Sequence, residues 1–149
     1  MIKVVLSADH GGFDLKEALK NYMVSLPEVC ITDLGAVRYN ADDDYPDFAI
    51  LAAKAVAEQK AQKAIIICGS GVGACVTANK IKGARACVCH DTYSPRQGVE
   101  HDDMNVLCLG GRVIGIEVAK EIVLAFCNAT FSDNERHKRR LEKIILLEK

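Results

Sequence analysis

Residues Cys68-Gly69-Ser70-Gly71-Val72-Gly73 follow directly on the apolar run Ala64-Ile65-Ile66-Ile67, so a nucleophilic side chain stands where a buried strand opens into a glycine-rich turn. With side chains stripped from Gly69, Gly71 and Gly73, several backbone N–H groups can converge on one bound anion or developing oxyanion. The same residues also suit a tight structural turn. Two commoner phosphate loops are disfavoured: Ala74 stands where the dinucleotide fingerprint needs its last glycine, and no Gly-Lys-Ser/Thr ending follows. Cys68 is either a core thiol or a proton carrier; an adjacent helix N-terminus and the Ser70 hydroxyl would both favour its thiolate.

Other polar groups gather at predicted loop positions. Asp9-His10-Gly11-Gly12 offers a carboxylate and an imidazole, either to move protons or to hold an oxygen-rich ligand, or else forms a solvated turn. His101-Asp102-Asp103 is a base with a carboxylate partner or a polar loop. Arg136 and Arg140 are four apart, hence on one helical face, where two guanidinium forks suit a phosphate dianion; a solvated basic face is the plain alternative. Arg112, after Gly110-Gly111, is a third candidate. Asp42-Asp43-Asp44 reads as a solvated loop with helix-capping value, and Tyr45 after it could bring a phenol to a cleft.

These residues need a scaffold, and the chain is long enough to build one. Its 149 residues are 50% hydrophobic and 26% charged, as expected for one domain over 1–149 with a well-filled core. A net charge of −1 gives no long-range pull toward nucleic acid or anionic lipid, and no apolar stretch approaches the roughly 20 residues that span a bilayer. Met1-Ile2-Lys3-Val4-Val5-Leu6 is too quickly polar for a signal peptide, so a cytoplasmic protein is expected. Seven cysteines without an export signal argue for reduced thiols. Cys87 and Cys89 are expected on one face of a strand, packed in the core rather than on a metal.

Hydrophobic periodicity predicts strands at Val4–Leu6, Val29–Leu34, Ala64–Ile67, Ala84–Cys89 and Asn105–Leu109. Helices are predicted after Gly12, from Pro46 to about Lys60, near Ala74–Lys80, through Tyr93–Glu100, at Ile116–Cys127 and at Glu135–Glu148. Alternating near-continuous apolar strands with helices implies an α/β fold, a five-stranded parallel sheet covered on both faces. Ligands of such sheets collect outside the strand C-termini, where Asp9-His10, Cys68–Gly73 and His90-Asp91 fall; His101 must return there by its loop. Leu141, Ile144, Ile145, Leu146 and Leu147 form an apolar stripe beyond the five-strand unit, which predicts a C-terminal helix used in dimerisation.

Ser7-Ala8-Asp9-His10-Gly11-Gly12-Phe13, Asp44-Tyr45-Pro46-Asp47, Cys68 to Gly73, Ala78-Asn79-Lys80, His101 to Asn105, Gly111-Arg112-Val113 and Arg136-His137 together resemble the type B ribose-5-phosphate isomerases, nearly end to end. The resemblance implies a Rossmann-like three-layer sandwich acting as a homodimer or dimer of dimers, with no cofactor and no metal. It implies interconversion of ribose 5-phosphate and ribulose 5-phosphate. Cys68 would move a proton between C2 and C1 through a cis-enediolate, supported by Ser70. Backbone N–H groups of Gly69, Ser70, Gly71, Val72 and Gly73 would hold the charged oxygen. His101, with Asp9 nearby, would open the furanose ring. His10, Arg112, Arg136 and Arg140 would take the phosphate, some from the neighbouring subunit; His137 would join the substrate-binding residues, and Tyr45 would line the pocket. Two positions depart from the family pattern. Asp102 replaces an asparagine that could donate to the substrate, and Asn134-Glu135 replaces Gly-Gly before Arg136, apparently with one extra residue. A six-carbon isomerase, for galactose 6-phosphate or allose 6-phosphate, is the close alternative. A non-catalytic sugar-phosphate-binding module is the other.

Overall fold

The computed structural model describes residues 1–148. Five parallel strands, β1 (Ile2–Ala8), β2 (Val29–Asp33), β3 (Lys63–Cys68), β4 (Ala86–Val88) and β5 (Val106–Gly110), lie in the order β2-β1-β3-β5-β4. Helices α1 (Phe13–Val24), α2 (Tyr45–Ala57), α3 (Val72–Ala78), α4 (Tyr93–Asp102), α5 (Ile116–Asn128) and α6 (Glu135–Ile145) connect and follow them, and Leu146–Glu148 closes in a 3-10 turn.

Period-two alternation along each strand divides the core into two layers. Val4, Leu6 and Ala8 of β1, Ile65 and Ile67 of β3, and Leu107 and Leu109 of β5 pack against Leu15, Leu19 and Met23 of α1 and Ile122, Val123 and Phe126 of α5. The residues between them, Val5, Ala64, Ile66, Cys68, Val106 and Cys108, meet alanine-rich faces of α2 and α3. Small residues there let the two helices approach the sheet closely. The result is a three-layer α/β sandwich, as the strand–helix alternation predicts. Among the described residues, no helix is long and apolar enough to cross a membrane.

β1 is flanked by β2 on one side and β3 on the other, and the chain leaves β1 toward α1 but β3 toward α3, on opposite faces. The crevice between these diverging exits is where a parallel α/β sheet takes its ligands. β4, an edge strand with β5 as its single neighbour, is shorter than expected. Cys87 is consequently exposed there while Cys89, past the strand end, is buried; the two do not share a core face.

Two buried lysines hold connections together. The Lys63 ammonium reaches the carbonyls of Phe126, Cys127 and Ala129 at 2.5, 3.1 and 2.7 Å, capping the C-terminus of α5, and burial pushes it below the usual lysine range. Lys16, fully buried, pairs with Asp33 and Glu17 at 2.7 Å each.

Candidate active site

The glycine turn forms as the sequence suggests. Gly71 has φ of 80°, a left-handed conformation that glycine adopts without strain, and turns the chain from β3 into α3. Gly73 is required for a different reason: a Cβ there would lie 2.5 Å from the Tyr45 ring, which stacks over the turn from the start of α2. Ala74 is fully buried beneath it. The Gly71 N–H donates to Cys68 Sγ at 3.1 Å, and the Val72 N–H donates to Ser70 Oγ at 3.2 Å. Ser70 thus braces the turn rather than the thiol, and the sulfur takes its hydrogen bond from backbone. Among the described residues, the N–H groups of Ser70 and Gly73 have no protein partner and are free to meet a substrate oxygen.

Cys68 is 4% exposed and belongs to the core layer under α2 and α3, and it also borders a cavity of about 450 Å³ with Asp9, His10, Tyr45, Gly69, Ser70, Gly73, Arg112 and Val113. The loop after β5 completes the wall: the Gly111 N–H donates to the Cys68 carbonyl at 2.8 Å and the Arg112 N–H to the Gly69 carbonyl at 3.0 Å, which brings the Arg112 guanidinium over Gly69. His90 braces that loop by accepting the Gly110 N–H on Nε2 at 2.9 Å.

Facing the cradle is an acidic pair around a histidine. Asp9 Oδ1 accepts the Gly12 N–H at 3.2 Å, and burial raises its carboxyl above the usual aspartate range, as suits a proton donor. His10 is bound by Asp43, whose Oδ1 takes both the His10 backbone N–H and ring Nδ1 at 2.8 Å. That carboxylate raises His10 above the usual histidine value. Asp43 therefore turns inward, while Asp42 and Asp44 are exposed as expected of a solvated loop. Nothing in the local sequence separates Asp43 from its neighbours; only the approach of the loop to β1 does. Asp9, His10 and Asp43 each present one ligand atom within 4.8 Å of the others, the one such metal-capable group among the described residues.

The remaining predicted site residues lie elsewhere. α4 runs on to Asp102, so His101 sits in its last turn, before β5 begins, and does not return to the cleft by its loop. The five residues of β5, about 17 Å of strand, separate it from Arg112 and Cys68 at the other end. The expected proximity of Asp9 and His101 is absent within one chain. The His101 ring stacks on His137 of α6 with centroids 4.0 Å apart, and its Nδ1 meets the Gln97 amide at 2.9 Å. His137 Nδ1 meets Ser132 Oγ at 2.6 Å, and burial holds His137 below the usual histidine value. Arg136 and Arg140, exposed on α6, belong to this second cluster, and the Asn134 side chain caps the helix on the Arg136 N–H. Asp102 borders a separate cavity of about 590 Å³ shared with Arg85, Cys87, Ile144 and Leu147.

The Ribose/Galactose Isomerase family model matches residues 4–144. The chain belongs to the ribose/galactose isomerase family. By that membership it is an isomerase, and its relatives are similar over their whole length. Ribose-5-phosphate isomerase B of Escherichia coli is 40% identical over 148 residues, 99% of this chain and 97% of that one. D-erythrulose-4-phosphate isomerase 2 of Mycolicibacterium smegmatis is 34% identical with the same two coverages. A solved structure of ribose-5-phosphate isomerase B from Mycoplasma genitalium with bound ribulose 5-phosphate superposes with a TM-score of 0.91 at 37% identity, covering 98% of this isomerase and 95% of that chain.

Proposed function

We propose that this isomerase interconverts D-ribose 5-phosphate and D-ribulose 5-phosphate by proton transfer through a cis-enediolate. The observation that carries the reading is Cys68, at the end of β3, with a backbone donor on its sulfur and open N–H groups beside it. The bound ketose phosphate of the Mycoplasma genitalium relative supports it. Cys68 as thiolate takes the C2 proton, the electron pair passes to the carbonyl oxygen, and the N–H groups of Ser70 and Gly73 stabilise the enediolate. The O2 proton passes to O1 as C2 becomes the carbonyl, Cys68 delivers its proton to C1, and the thiolate is regenerated. Arg112 and His10 hold the phosphate from the same cleft.

The split between the two clusters motivates a homodimer in which His101, His137, Arg136 and Arg140 of one copy face Cys68 of the other. Ring opening then uses the partner's histidine opposite Asp9, and the arginines complete the phosphate site. Ile144, Ile145, Leu146 and Leu147, from 39% to 85% exposed on the C-terminal helix, supply the apolar surface such an assembly needs. Replacing Ile144 and Leu147 together by aspartate is expected to give a folded monomer with little turnover, read by sedimentation and by activity at one concentration. A wild-type chain that sediments as a monomer at micromolar concentration would contradict this arrangement.

The relative named for erythrulose 4-phosphate favours a second reading, a four-carbon substrate. A tetrose 4-phosphate has no free O4 to close a furanose, so it needs no ring-opening group, and the ordered His101 cluster supports the pentose. Turnover on four-, five- and six-carbon aldose phosphates tests the choice, galactose 6-phosphate and allose 6-phosphate included. Ribose 5-phosphate is expected to have the highest kcat/KM. A higher value on another aldose phosphate replaces the substrate, and tight binding without turnover of any makes the protein a binding module.

A further inference from the structure

Asp43, behind His10 and outside the wall of the cleft, is a charged group that the isomerase reading leaves without a role. Its side chain is 10% exposed. One oxygen, Oδ1, takes two hydrogen bonds from the same residue, the backbone N–H and the ring Nδ1 of His10, both at 2.8 Å. The other oxygen, Oδ2, is buried with no partner among the described residues, so no second group competes for the carboxylate. A buried carboxylate left with one unsatisfied oxygen is costly, and such an arrangement persists where the carboxylate serves its single partner. The effect on His10 is geometric: two attachments to one oxygen fix ring and backbone together and assign the proton to Nδ1, which leaves Nε2 as the only ring atom able to reach the cavity that His10 lines with Gly69, Ser70 and Arg112.

We propose that Asp43 is a positioning residue of the phosphate site, which holds the His10 ring in place and keeps it a charged donor toward the substrate dianion. The inference rests on the reading that His10 grips phosphate. Every charged or titratable neighbour of His10 bears on it. Asp43 and Asp9 favour the imidazolium, Asp43 most, whereas partial burial and Arg112 oppose it. Tyr39 packs edge-on at 6.4 Å, and Tyr45 and Cys68 share the cavity wall. Without Asp43, partial burial, aided by Arg112, opposes the imidazolium with Asp9 alone on the other side. Arg112 keeps its charge at every pH of interest and Asp9 is common to wild type and variant, so the difference between their pH profiles of anion binding reports on His10.

The sign follows from the direction of the shift. A histidine raised by its partner stays protonated to higher pH, so anion affinity in the wild type persists as pH rises past the point where an unassisted histidine discharges. Removing Asp43 moves that loss to lower pH, while at acid pH both forms carry the proton and bind alike.

Sulfate, a dianion throughout the range, is the probe, titrated calorimetrically into the full-length protein between about pH 5.5 and 8.5. Asp43→Asn is expected to bind sulfate about fivefold more weakly near neutrality and slightly above, the difference between a charged and a neutral donor, and to match wild type at the acid end. Asp43→Glu, which restores the charge on a longer arm, is expected to recover part of the lost high-pH affinity. A deficit of the same factor at every pH for Asp43→Asn, unrelieved in Asp43→Glu, would mean that Asp43 only fastens its loop and would overturn the proposal. Wild-type affinity across the range in Asp43→Asn, with weakened binding in His10→Ala, would overturn it while leaving His10 as a phosphate ligand. Wild-type affinity in His10→Ala would remove that reading and the proposal with it.

Discussion

Cys68→Ala and Cys68→Ser are expected to lose isomerisation by roughly three orders of magnitude while melting within a few degrees of the parent. The loss is large because the other groups at the turn are engaged: His10 is held by Asp43, Asp9 accepts the Gly12 N–H, Ser70 spends its hydroxyl on the Val72 N–H, and Ala74, after the third glycine, is a buried methyl. A serine at position 68 keeps the shape and the Gly71 hydrogen bond, but its hydroxyl is far harder to ionise than a thiol at neutral pH. The fold is spared because Cys68 is a small side chain at the rim of the α2/α3 layer, whose alanines and strand residues still pack around it. Solvent deuterium exchange at C1 of ribulose 5-phosphate is the sharpest assay, since it reports proton transfer without requiring release of the aldose. Wild-type exchange in either variant would remove Cys68 as the base.

The second large effect depends on the substrate offered. Ribose 5-phosphate arrives mostly as a furanose closed through O4. Ribulose 5-phosphate cannot close in the same way, because O5 carries the phosphate. His101→Ala is therefore expected to lower turnover of ribose 5-phosphate by about a hundredfold or more while sparing deuterium exchange into ribulose 5-phosphate. A general structural defect would depress both. Equal loss in the two assays would make His101 a packing residue of the α4–α6 contact, where its stacking on His137 already gives it a structural role.

Residue order alone carries the architecture and the cradle, for physical reasons. A short, isoleucine-rich apolar run such as Ala64-Ile65-Ile66-Ile67, bounded by glycines, suits a strand buried on both faces, and the glycines after it tell where the chain must turn. The strand ends then collect Asp9, His10, Cys68, Ser70 and Arg112 at one crevice, as they do in the structure. His101 was not placeable this way. Its position depends on α4 continuing to Asp102 and on β5 inserting between β3 and β4, and helix ends and strand order are tertiary outcomes that local pattern does not encode. Asp43 and Lys63 were hidden for the same reason: each is one charge among several in sequence, and becomes distinct only through a distant partner, His10 for one and the α5 carbonyls for the other. Cys87 shows the converse error, a residue apolar in pattern but exposed because β4 is an edge.

The claim that unites both clusters is that one catalytic site takes Cys68 from one copy and His101 from another. Mixing the inactive Cys68→Ala and His101→Ala proteins under conditions that exchange subunits tests it directly. Hybrid dimers then contain one intact site, made of Cys68 from the second variant and His101 from the first, and one site lacking both. Random exchange should restore about a quarter of wild-type turnover on ribose 5-phosphate, half the dimers being hybrids with half their sites whole. No recovery, with hybrids demonstrated by mass spectrometry, would contradict a shared site and leave the two clusters as separate features of a single chain.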